Sequence, residues 1–142
     1  MRNAIIALAV ASSVVALPAA AKPKVQKIEG TTWSIHVETG EKTDARGEKS
    51  FEEVLSFGAN QVALEECGRR GYAPSTFTAR KDGDKWEIEF TQTSPADGTM
   101  QWKADVREDW FKGVMMWTKR NGTERNFWFK GQLVKEDRKK RN

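Results

Sequence analysis

The chain has 142 residues, one cysteine, one histidine and a formal net charge of +4. A single cysteine excludes an internal disulfide, and with only one histidine it argues against a zinc site of histidines and cysteines and against a Ser-His-Asp triad. The basic excess lies in Arg2 and the C-terminal segment, and no basic patch interleaved with aromatics follows a groove, so no nucleic-acid partner is expected.

The first 21 residues have the layout of a secretory signal peptide. Arg2 supplies the basic start, residues 4–17 are uncharged and apolar, and Ala19-Ala20-Ala21 is a small-residue cleavage site. The apolar run is too short for a comfortable membrane span and no longer run follows, so we expect no span. The sequence thus predicts a protein of the periplasm or one that is secreted.

Cleavage after Ala21 leaves one domain with short polar ends. The predicted organisation is a signal peptide at 1–21, a polar lead-in at 22–29, a single β domain at 30–134 and a basic flexible tail at 135–142.

Bulky apolar residues alternate with polar ones along most of the domain, which predicts strands with one buried face. The clearest runs are Trp33-Ile35-Val37, Trp86-Ile88-Phe90 and Met100-Trp102-Ala104-Val106. Turn signals separate five further predicted strands, at 51–57, 60–64, 76–80, 111–118 and 123–131.

Helical spacing occurs only in a short piece at 65–70 after the third strand, ended by Gly71. Because no long helix connects the strands, antiparallel pairing is favoured. The predicted fold class is all-β, an eight-stranded antiparallel up-and-down barrel with one short helical turn, since closing the sheet removes unpaired edges. A two-sheet β-sandwich is the alternative.

The last hairpin has two possible registers. A two-residue turn at Asn121-Gly122 would expose three large aromatic rings. A three-residue loop at 120–122, which pairs Lys119 with Thr123, turns more rings inward. Burial of a large apolar side chain is worth roughly 1.5–3 kcal/mol, so the three-residue loop is the predicted register.

This register sets Arg125 opposite Trp117 on the inner face. The arginine would either cap the ring by a cation–π contact or present a charge to a bound anion. It also turns eleven rings inward, which leaves little room in a barrel of eight strands. We therefore expect only a shallow aromatic cup at one mouth, lined by Trp33, Trp117, Arg125 and Phe127. Trp110 and Trp128 remain outside.

The sequence carries no catalytic signature. His36 lies on the polar face of the first predicted strand, and Cys67 follows two acidic residues that would raise its pKa and weaken it as a nucleophile. A Cys67–His36 pair is therefore a poor candidate. We expect no enzyme activity, no cofactor and no metal site.

Several segments together resemble small exported bacterial proteins of lipocalin-like type. They are GTTW (30–33), FEEVLSF (51–57), GYAPSTFT (71–78), GTMQW (98–102), WFKGVMMWTKRNG (110–122) and FWFKG (127–131). The broader calycin group opens its first strand with Gly-x-Trp, whose ring plugs one barrel end and often meets a basic side chain of the last strand. Here Gly30 and Trp33 are one residue further apart, and the resemblance implies Arg125 or Lys130 as the basic partner.

The resemblance implies a binding module. The expected function is an exported, non-enzymatic and monomeric protein that holds a small apolar molecule or an envelope protein at one barrel mouth. The alternative is an inhibitor of a secreted or periplasmic hydrolase such as a protease, which acts through the polar loop at 39–49.

Overall fold

A computed structural model of the chain describes residues 25–39 and 50–136. Within them the chain forms eight strands and one short helix. In chain order these are β1 (Thr31–Thr39), β2 (Phe51–Phe57), β3 (Gln61–Leu64), α1 (Glu65–Arg69), β4 (Ser75–Asp82), β5 (Lys85–Ser94), β6 (Gly98–Arg107), β7 (Trp110–Thr118) and β8 (Glu124–Glu136). The predicted signal peptide, most of the 39–49 loop and residues 137–142 lie outside the described ranges.

The strands form one closed antiparallel barrel in sequence order. Each strand pairs with its neighbour in the chain, and β8 returns to pair with β1. The up-and-down barrel with a helical turn after the third strand is confirmed, and the sandwich alternative is wrong. No helix among the described residues is long and apolar enough to cross a membrane.

The barrel interior is filled by the aromatic side chains that alternate along the strands. Eight of the eleven rings expected inside are buried, and Phe51, Phe77 and Trp86 are half-buried against them. Phe57 is central to this core because its ring contacts Phe77, with centroids 5.0 Å apart, and Phe111, at 6.1 Å. The prediction of a filled barrel thus agrees with the packing of these rings.

The predicted register of the last hairpin is confirmed. The Lys119 amide donates to the Thr123 carbonyl at 2.8 Å, and Trp117 lies opposite Arg125. Gly122 has a φ of 86°, the left-handed conformation that this three-residue loop requires. Trp110 and Trp128 are exposed on the outer face, as the register predicts.

The two ends of the barrel are built differently. At one end, which we call the terminal end, β1 starts and β8 finishes. At the other, the helix end, α1 lies near the short connections at 95–97 and 119–123. Residues 25–30 precede β1 and cross the terminal end, where Val25 and Ile28 are buried.

Two glycines permit the close approach of neighbouring strands. A Cβ added to Gly113 would overlap the Lys103 carbonyl oxygen and lie 2.8 Å from the Ala104 Cα. At Gly131 the added atom would overlap the Ser34 carbonyl oxygen. Any side chain at these two positions must therefore push β7 away from β6, or β8 away from β1.

We expect Gly113→Ala and Gly131→Ala each to lower the free energy of unfolding by about 1–3 kcal/mol, because overpacking shifts the backbone. Urea unfolding followed by tryptophan fluorescence measures the change. Gly68→Ala is the matched control, since its Cβ meets nothing within 4 Å and alanine favours the helix. If Gly113→Ala unfolded at the same midpoint urea concentration as the parent protein, the close approach of β6 and β7 at Gly113 would be contradicted.

Candidate functional site

The four residues predicted to line one mouth lie at opposite ends of the barrel. Trp33 is fully buried near the terminal end, where its Nε1 donates to the Thr31 Oγ1 at 2.9 Å. Trp117, Arg125 and Phe127 are close to the helix end, with the Trp117 and Phe127 rings 6.4 Å apart. The structure brings these three together and leaves Trp33 apart.

Trp33 packs at one barrel end, as the resemblance implies, but the implied basic partner is wrong. Arg125 lies at the other end of β8, and Lys130 is on the outer face. The ring packs instead against Phe111, with centroids 5.4 Å apart.

At the helix end, a buried carboxylate holds α1 against the barrel. Glu53 lies on the inner face of β2, and its side chain accepts hydrogen bonds from the backbone amides of Glu66 at 2.8 Å and Cys67 at 2.9 Å. Leu64, the residue that caps α1, offers no side-chain hydrogen bond. Glu53 therefore satisfies amides that every helix leaves free in its first turn.

Glu53 was not among the residues predicted from the sequence, although a signal for it was present. Phe51, Glu53, Leu55 and Phe57 share one side of the predicted alternation, so a charged residue at the second of these positions points inward. A buried carboxylate requires donors, and here the first turn of α1 supplies them.

Trp117 belongs to a network of hydrogen bonds and ring contacts at the helix end. Its Nε1 donates to the Asp97 carbonyl at 3.0 Å, while the Asp97 carboxylate accepts from the Tyr72 hydroxyl and from Arg70, both at 3.0 Å. Arg70 and Lys119 lie over the Trp117 ring at 5.1 and 4.9 Å from its centroid. Cations therefore do stack on this ring, but from α1's C-terminal side and from the β7–β8 loop.

Cys67 and His36 are on different sides of the barrel wall. Cys67 is buried, with its Sγ 3.7 Å from the Met100 Sδ. The His36 ring faces outward, where its Nδ1 contacts Glu52 and its Nε2 is 3.2 Å from the Glu38 carboxylate. Burial raises the pKa of the Cys67 thiol and Glu53 raises it further, so the environment opposes thiolate formation.

An opening lies at the seam between β3 and β4. These strands pair only through Gln61 with Thr76 and Val62 with Ser75. From Phe77 onwards β4 therefore extends beyond Gln61, the first residue of β3, towards the terminal end. The six further residues of β4 extend about 20 Å. Segment 25–30 crosses beside them, held by a 3.3 Å hydrogen bond from Trp86 Nε1 to the Val25 carbonyl.

A cavity of about 430 Å³ lies between this segment, the β2–β3 turn and β4. We call it the seam slot, and its lining residues are Lys27, Ile28, Glu29, Ala59, Asn60, Phe77, Ala79 and Trp86. Five of these side chains are apolar and three are polar. The volume and the lining both fall in the range of small-molecule sites.

Comparisons of the chain with protein-family models, curated proteins and solved structures find no significant match. The closed eight-stranded barrel is consistent with a lipocalin-like fold. Any functional conclusion must therefore come from the geometry of this chain. At the helix end a recess of about 360 Å³ beside Trp117 has mostly polar lining, whereas most lining residues of the seam slot are apolar, so the geometry favours the seam slot for an apolar molecule.

We expect Glu53→Gln to lower the free energy of unfolding by about 1–3 kcal/mol, because the new amide turns a donor towards a buried backbone N–H. Glu52→Gln, the same change at the next and exposed residue, should cost less than about 0.5 kcal/mol. Urea unfolding at neutral pH compares them. Equal losses in the two variants would contradict the role of Glu53 as the cap of α1.

The raised pKa of Cys67 gives a pH test. Above its ordinary pKa of 9.0 the thiol ionises in the unfolded chain while the folded state keeps its proton. The stability that the protonated Cys67 thiol contributes is fully present below pH 9 and is lost as pH rises. The free energy of unfolding should therefore fall by about 1 kcal/mol between pH 9 and 10. Cys67→Ala should make the free energy of unfolding fall less steeply with pH. If urea unfolding at pH 9 and pH 10 gives the same fall in the parent and in Cys67→Ala, Cys67 is not its source.

Proposed function

We propose that this chain is a non-enzymatic binding protein that holds a small, mainly apolar molecule in the seam slot. The observation that carries the proposal is the incomplete β3–β4 pairing, which opens a cavity of about 430 Å³ onto the inner face of β4. The barrel interior is filled by aromatic rings, whereas the seam slot combines apolar lining side chains with a volume that a small molecule can enter. The mouth is thus proposed at the terminal end, on the side of β4.

The chemistry of the lining indicates the ligand class. Ile28, Phe77 and Trp86 supply apolar surface, whereas Lys27, Glu29 and Asn60 supply polar groups. Pockets of this composition bind the apolar part of a ligand and use a few polar groups to fix its orientation. A compact apolar molecule with one polar group fits this arrangement.

A binding role is also supported by the arrangement of the reactive side chains. The Cys67 thiol is buried beneath α1, and His36 is engaged outside the barrel by Glu38 and Glu52. Neither faces the seam slot. We therefore assign the slot to retention of a molecule rather than to its conversion.

Export to the periplasm or the exterior is part of the proposal. It rests on the basic, apolar and small-residue order of residues 1–21 in the sequence. The inhibitor alternative rests on loop 39–49, nearly all of which lies outside the described residues.

We expect Ala79→Trp to weaken binding of Nile red, an uncharged apolar dye, by about tenfold or more, because the indole fills the slot. Ala59→Trp, on the β2–β3 turn, should do the same. Ala63→Trp is the matched control, since Ala63 is on the outer face of β3. Dye fluorescence titrations on residues 22–142 measure the affinities, and equal affinity of parent and Ala79→Trp would reject the slot.

A further inference from the structure

The outer face of the β7–β8 hairpin collects exposed apolar side chains. In the described part of the chain the exposed large apolar residues are Trp110, Val114, Trp128 and Val134, with 46%, 56%, 40% and 63% of their surface accessible. Two belong to β7 and two to β8. Exposed apolar residues scattered singly need no explanation, but a contiguous group marks an interaction surface.

Two lysines lie side by side among these residues. Lys112 and Lys130 are directly opposite in the β7–β8 register, and both are exposed. Like charges at directly opposed positions destabilise a sheet. The pair therefore destabilises the isolated protein, and an anion placed over it would relieve the repulsion.

The neighbouring carboxylates are engaged elsewhere. Asp105, which pairs with Lys112 on the β6 side, is 3.8 Å from Lys85. On the β1 side His36 lies opposite Lys130, and Glu38 is 3.2 Å from His36. Within the described residues neither lysine forms an ion pair, so the two ammonium groups remain available to an outside anion.

The register places the lysine pair between the two tryptophans. Along the hairpin, Trp110 lies opposite Gln132, the lysines follow, and Val114 then lies opposite Trp128. The tryptophans are therefore about 13 Å apart along the strand direction. Val134 continues the face on β8, at the bulge where that strand meets Thr32 and Trp33.

We propose that this outer β7–β8 face binds an anionic lipid surface. Tryptophan is enriched where water meets the apolar part of a membrane, because its ring is apolar and its N–H is polar. Lysines near an anionic lipid surface are attracted to the headgroup phosphates. The face offers both groups on two neighbouring strands, with the lysines between the tryptophans in the register.

The shape of the face favours a lipid surface over a soluble anion. An open groove of about 670 Å³ crosses β5 to β8 and includes Lys112, Val114, Trp128 and Lys130 in its wall. Its β5 and β6 side carries Glu87, Glu89 and Asp105, which lie within 4.0 Å of Lys85 or Lys103, so among the described residues the groove lysines without an ion pair are on the β7–β8 side. A soluble polyanion would neutralise the lysines but leave the valines in water. A lipid surface covers the apolar side chains and meets the charges together.

This site is independent of the seam slot. In the circular strand order β8 lies across the barrel from β4. A barrel docked through β7–β8 would therefore turn the seam slot away from the lipid.

Sedimentation with vesicles tests the proposal. Residues 22–142 contain every described element and lack the apolar run at 4–17, which would itself bind lipid. We expect this protein to partition onto phosphatidylglycerol vesicles and not onto phosphatidylcholine vesicles, with binding that falls as salt rises. Lys112→Gln with Lys130→Gln should weaken partitioning roughly 30-fold.

The apolar part is tested by Trp110→Ser with Trp128→Ser, which should weaken partitioning roughly tenfold. The matched control is Arg80→Gln with Lys81→Gln, an equal charge change on β4, which should have little effect. Thermal unfolding of each variant confirms that it folds. The proposal would be overturned if the control variant lost as much vesicle binding as the lysine variant, or if neither the lysine nor the tryptophan variant lost binding.

A soluble competitor separates lipid from polyanion binding. If heparin binds the protein with the same lysine dependence while phosphatidylglycerol vesicles do not, the face recognises a soluble polyanion and the lipid assignment is wrong. If the vesicles bind and the tryptophan pair contributes, the lipid assignment stands.

Discussion

The structure depends on the burial of aromatic rings inside a barrel of only eight strands. Phe57 contacts Phe90 as well as Phe77 and Phe111. Phe90 in turn stacks on Trp102, and the two ring centroids are 5.5 Å apart. The rings thus form one connected cluster across the barrel. A barrel of this size is filled by such side chains, so binding is expected at the margins of the barrel and on its outer surface.

The short strand β3 has two consequences for those margins. It ends at Leu64 because the chain turns into α1, whose first-turn amides bond to the buried Glu53. With Tyr72 and Trp117 bonded to Asp97, this insertion packs against the helix end. At its other end β3 begins only at Gln61, so most of β4 has no β3 partner, and the seam slot lies beside that overhang. The two ends of β3 therefore determine different features, Leu64 the start of α1 and Gln61 the lateral opening.

The outer surface divides by strand in a comparable way. Around β4 and β5 the charges are paired, as Arg80 with Glu87 and Lys85 with Asp105. On β7 and β8 the lysines face each other and alternate with exposed rings. Opposed lysines raise the free energy of the isolated protein, and this repulsion is one of the observations on which the proposed lipid contact rests.

Period-two alternation is a local property, and it determined the strands and the inward rings of this chain, while the lack of long connecting helices determined the antiparallel order. The turn residues at 120–122 likewise determined the last register, because a one-residue slip would expose rings. Only the tertiary structure decided which backbone amides donate to Glu53 and that Trp33 and Trp117 lie at opposite ends of the barrel. It also decided that β4 extends beyond its pairing with β3. These features depend on which groups from distant segments meet when the barrel closes, and no local pattern encodes such meetings.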